Sequence, residues 1–140
     1  LTVTDAWGND IWEHWAWVYT TTTQTLYKNG VQIGAPLAAN NVTVSTGLVR
    51  LGHTASGGAP LAGPGQDEPA YIADVRHWNF ARSGAQILAD YQTPLAGNEA
   101  GLVAYWPLQN DFSQLVAGGP ATWSIGAGTP TIETGIGPVL

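Results

Sequence analysis

Apolar positions along this chain recur at the spacing of short strands rather than long helices. β-branched and aromatic residues gather in brief runs separated by Gly, Pro and Asn, the pattern of an all-β protein. Residues 1–4 form a first short run, and residues 5–10 read as a turn. Residues 12–20 then alternate: Trp12, His14, Ala16 and Val18 fall on one face, and Glu13, Trp15, Trp17 and Tyr19 on the other. Both faces are mostly apolar or aromatic, which predicts a central strand covered on both sides. After a polar connection at 20–23, the runs 25–28 and 31–34 meet across Asn29-Gly30. Asn-Gly is the strongest local hairpin signal, because a type I′ turn needs positive φ at both central residues.

Further strands are expected at 41–45, 48–52, 71–78 and 101–108, with weaker signals at 122–125 and 131–133. Between the second and third of these, residues 54–69 hold four Gly and three Pro. A loop of that length in a compact domain is usually functional or disordered. One helix is predicted over 83–91: Ser83 caps it, Gln86 completes a capping box, Ile87, Leu88 and Tyr91 form the apolar stripe, and Pro94 stops it. Short strands with a single helix imply an antiparallel β-sandwich.

Composition narrows the function. The 140 residues include 18 Gly, 9 Pro and 7 Trp, and are 44% hydrophobic but only 10% charged, against about one quarter charged in ordinary soluble domains. A net charge of −6, with Lys28, Arg50, Arg76 and Arg82 scattered, excludes a phosphate backbone as partner. The absence of cysteine excludes a disulfide framework, a thiol nucleophile and Cys-ligated metals. No run approaches the roughly 18 apolar residues of a membrane-spanning helix, so membrane insertion is not expected. Beginning at Leu1 and lacking Met, the chain is expected to be a mature or partial product.

Three segments, in order, carry a resemblance. Trp12-Glu13-His14-Trp15-Ala16-Trp17-Val18-Tyr19 is similar to a W-x-H-x-A-x-x-Y strand, and Thr25-Leu26-Tyr27-Lys28-Asn29-Gly30-Val31 to an L-Y-x-N-G hairpin. Tyr71-Ile72-Ala73-Asp74-Val75-Arg76-His77-Trp78-Asn79, followed by Ala81-Arg82-Ser83 and Ile87, resembles a strand I-D-E-V-R-I-W-N leading into a helix. Together they resemble the laminin G-like, concanavalin A-like jelly-roll family over residues 11–92. In that family the W-x-H strand falls near mid-domain, and Gly101-Leu102-Val103-Ala104-Tyr105-Trp106-Pro107-Leu108 resembles the lead-in to a following repeat. The chain thus resembles a unit cut out of phase or permuted. Residues 1–96 are expected to form the main sandwich portion. Residues 97–140 would be a linker plus strands completing the same sandwich or a neighbouring one.

The resemblance implies an extracellular, non-catalytic structural or adhesion module. Incomplete strands and low surface charge point to assembly with other copies or neighbouring repeats by strand complementation, into a surface or filamentous structure. The alternative is a lectin-like, glycan-binding domain, and glycoside hydrolysis is the remote one. Related glucan-cleaving enzymes need Glu-x-Asp-x-x-Glu to set carboxylates about 5 Å apart. That spacing is absent, as is a G-x-S-x-G nucleophile elbow.

Candidate sites follow from side-chain chemistry. Gln66, Asp67 and Glu68, with Asp74 close in sequence, supply the oxygen ligands calcium prefers; a solvated acidic loop tip is the competing reading. Asp74 is also placed to pair with Arg76 on one strand face. His14 reads as a satisfied core histidine, and Lys28 as an exposed charge guarding a strand edge. Most Trp residues read as packing, leaving Trp7 and Trp123 as candidates for stacking on sugar rings. Asn41-Val42-Thr43 is an N-glycosylation sequon, and the threonines of 20–23 read as a plain exposed loop, with O-glycan attachment the lesser alternative.

Overall fold

A computed structural model describes residues 11–39 and 72–119. The expected strands at 1–4, 41–45, 48–52, 122–125 and 131–133, and the loop at 54–69, lie outside the described residues. Within them, five strands and one helix follow in order: β1 (Trp15–Tyr19), β2 (Thr23–Lys28), β3 (Val31–Ala38), β4 (Val75–Trp78), α1 (Gly84–Asp90) and β5 (Leu102–Trp106). All pairings are antiparallel, in a three-stranded sheet β1-β2-β3 and a two-stranded sheet β4-β5. No helix among the described residues is long and apolar enough to cross a membrane.

The Asn29-Gly30 hairpin forms as its sequence dictates, with φ of 48° and 78° at its two central residues. The amide of Asn29 donates to the His14 carbonyl at 2.8 Å, and the His14 amide donates to Asn29 Oδ1 at 2.9 Å, so the turn also anchors the approach to β1. Register then sets the faces, since directly opposed residues share one. Trp15, Lys28 and Val31 form one row, and Trp17, Leu26 and Ile33 the next; Ala16, Tyr27 and Gln32 point the other way.

β3 runs four residues past its expected end at 34, to Ala38. It does so through a bulge: one residue of β2 separates Gln24 from Leu26, where three of β3 separate Ile33 from Leu37. Gly34 adopts φ 65° there, and Pro36 is tolerated because bulges and edges accept a residue without an N–H. β4 begins later than expected because Asp74, with φ 58°, is not extended. β5 ends at Trp106, before Pro107 and a positive-φ Leu108.

Helix α1 carries the full capping box: Ser83 Oγ accepts from the Gln86 amide at 3.2 Å, and Gln86 Oε1 accepts from the Ser83 amide at 2.9 Å. Seven residues make a marginal helix alone, so packing has to hold it. Ile87 is buried and belongs, with Leu102, Ala104 and Tyr105, to the buried apolar core of the described residues. The hairpin tip rests on the helix: a Cβ added to Gly30 would lie 2.7 Å from Leu88 Cδ1, and one added to Gly84 would lie 3.1 Å from Tyr27 Cε1. The face carrying Ala16 and Tyr27 is therefore the inner one, toward α1.

Candidate functional site, an exposed aromatic sheet face

The opposite, outer face of β1-β2-β3 is largely apolar yet only partly buried. Trp17 is 65% exposed, Val31 64% and Leu37 43%, with Leu26 and Ile33 half-buried between them. This corrects the expectation that the strand is covered on both faces: its alternation is real, but Trp17 faces outward into the open. At one border of this face Lys28 Nζ lies 2.8 Å from Glu13 Oε1 and 5.5 Å from the centroid of the Trp15 ring. Lys28 is thus a paired, largely covered cation rather than the exposed edge guard expected. The pairing neutralises the two charges on this border, which leaves the face dominated by indole and aliphatic surface.

On the inner side, polar groups are arranged for rigidity. Arg76, 7% exposed in its side chain, holds the Asp74 carboxylate with two donors, Nε to Oδ1 at 3.0 Å and Nη2 to Oδ2 at 2.5 Å. Its remaining donors reach the carbonyls of Asp90 at 2.8 Å and Thr93 at 2.7 Å. A guanidinium therefore bonds the chain at and just beyond the C-terminal end of α1, where positive charge complements the helix dipole. Burial pushes the Tyr105 phenol up, and the adjacent Asp74 carboxylate, which its hydroxyl bonds, pushes it further. Arg82 stacks 4.2 Å from the Trp78 ring centroid and pairs with the Asp90 carboxylate. The Glu99 carboxylate ties the linker after Pro94, accepting from the amides of Ala96 at 2.6 Å and Gly97 at 3.0 Å. Burial opposes its ionisation, yet these amide bonds outweigh it and lower its pKa.

The expected pair Asp74–Arg76 is formed, although Asp74 precedes the strand instead of lying on its face. With both oxygens held by Arg76, Asp74 has its strongest acceptor sites occupied. Among the described residues no group of three acidic or histidine side chains could hold a metal ion. Gln66, Asp67, Glu68, Trp7, Trp123 and Asn41 lie outside the described residues. The hydroxyls of Thr20 and Thr23 bond each other at 2.9 Å within their turn, so both are part of its structure. His14 packs on the inner side, its ring 5.8 Å from that of Tyr91. The strand alternation already separated Trp15, Trp17 and Tyr19 from His14. What it lacked was which of the two faces the helix would cover.

No curated protein and no solved structure matches the chain. A family profile does match, described as the Concanavalin A-like lectin/glucanases superfamily, over residues 2–88. That span is more than half of the 140 residues and takes in β1, β2, β3, β4 and most of α1. It accounts for the antiparallel sheets, which in this family build a β-sandwich, and laminin G-like domains are generally non-catalytic binding modules, commonly extracellular. By the match over residues 2–88 and the sheets it spans, the chain belongs to the concanavalin A-like lectin/glucanase superfamily.

Proposed function

We propose that the chain is a non-catalytic extracellular adhesion and assembly module, which associates with copies of itself or with neighbouring repeats. The observation that carries this reading is the outer face of β1-β2-β3, with Trp17 and Val31 about two thirds exposed beside Leu26 and Ile33. Contiguous apolar surface rimmed by polar groups is the ordinary mark of an interaction site, and tryptophan is enriched where partners bury one.

Geometry favours contact through this face over addition of a strand. β5 pairs with β4 of its own chain, which engages residues 102–106 without a neighbour. β3, bulged and carrying Pro36, is a poor template for an incoming strand. Association therefore buries a face. Mass measured in solution at micromolar concentration tests it: oligomers are expected, and a monodisperse monomer overturns the reading.

The exposed Trp17 indole also favours a second reading, a lectin-like module on which a sugar ring stacks. Trp7 and Trp123 would extend such a platform, and Gln66, Asp67 and Glu68 would supply calcium ligands. A glycan array read with calcium and with chelator separates the two readings.

A further inference from the structure

His14 joins the sheet to the helix. Its backbone makes both bonds to Asn29 that hold the β2–β3 turn, 2.8 and 2.9 Å long. Its ring lies against Tyr91, the C-cap of α1, with centroids 5.8 Å apart and planes inclined by 51°. Nδ1 is buried and has no hydrogen-bond partner. A proton there would bring a charge into a site with no acceptor prepared for it.

The charged groups around the ring reinforce this. Arg76 repels a proton on His14, while Asp74 attracts one but is already bonded by two donors of Arg76. From α1 come the Tyr91 ring and Asp90, whose carbonyl is held by Arg76 and whose carboxylate pairs with Arg82. From β5, Tyr105 bonds Asp74. Lys28 of β2 is turned to the opposite face, paired with Glu13.

We propose that His14 is an acid-sensitive latch between the β1-β2-β3 sheet and α1: protonation drives its ring out of the contact with Tyr91 and releases the turn resting on the helix. Burial first, and then Arg76, lowers the pKa of His14 below its ordinary 6.5. The folded state thus prefers the neutral ring. Stability from this contact is complete above the unfolded pKa and is lost as pH falls through 6.5 toward the lowered folded value. His77 is exposed on β4 and serves as the control.

The test compares the whole chain with His14→Gln, His14→Phe and His77→Gln, reading urea midpoints at about pH 7.5 and about pH 5, the range in which imidazole titrates. The wild type and H77Q are expected to lose stability on acidification, and the two His14 variants to lose markedly less. Ring-proton NMR of the wild type, with the other two histidines assigned through H77Q and His53→Gln, is expected to show His14 titrating below the ordinary 6.5. Amide exchange at Asn29, corrected for intrinsic rates, should rise severalfold at the lower pH. An acid response equal in wild type and in a folded His14 variant overturns the proposal, as does a His14 ring that titrates at or above 6.5; the NMR arm stands even if neither variant folds.

Discussion

Arg76 shows how one residue decides the order of its neighbourhood. It bonds a carboxylate and two carbonyls while 7% exposed, so removing it takes away four hydrogen bonds at once. Arg76→Met is expected to cost about 3–5 kcal/mol, the usual effect of breaking one partner of a buried pair. Asp74→Asn in the same chain should recover part of that loss, because the stranded charge is then gone. Urea denaturation of the two single variants and the double variant measures both, and strictly additive losses would refute the coupling. The pair itself was legible from two residues in sequence. Its reach to Asp90 and Thr93 was not, since nothing local announces where a helix end will dock. The His14 titration belongs to this scale too: the ring reads as a core histidine from its apolar neighbours, yet the missing partner at Nδ1 is a property of packing.

Among elements, the β2–β3 hairpin is the one that sequence specified most completely. Its turn chemistry places Gly30 at φ 78°, and tertiary structure then presses it against Leu88. Two glycines with similar φ separate these effects, because Gly34 at φ 65° has open space where a Cβ would go. Gly34→Ala is expected to cost about 1–2 kcal/mol, the backbone penalty alone. Gly30→Ala should cost clearly more, as the helix must also shift. Thermal melts compare them, and equal losses would mean that the hairpin tip does not rest on α1. Helix α1 was equally readable, its Ser83 and Gln86 making both bonds of the capping box. Strand boundaries were less so: β3 continues through Gly34 and Pro36, residues that read as a stop, because a bulge absorbs them.

For the whole molecule, the outer sheet face is the feature with a predicted consequence. Trp17→Glu places a charge on that face and is expected to shift the oligomer to monomer without lowering stability by more than about 0.5 kcal/mol, as for an exposed position. Light scattering with a parallel melt decides it; oligomers that persist in a folded Trp17→Glu chain would move the contact elsewhere. If the face takes sugars instead, the same substitution abolishes glycan-array binding, and a calcium-dependent melting shift should vanish when Asp67 and Glu68 become Asn and Gln. Sequence by itself determined the antiparallel β class, the hairpin, the capped helix α1 and the superfamily, since turns, caps and alternation are encoded within a few residues. Only the tertiary structure decided that β5 pairs with β4 in cis, that Lys28 is neutralised by Glu13, and that the Trp17 side of β1 faces outward. A period of two assigns residues to two faces but carries no sign. The sign comes from where a distant helix finds a surface to bury.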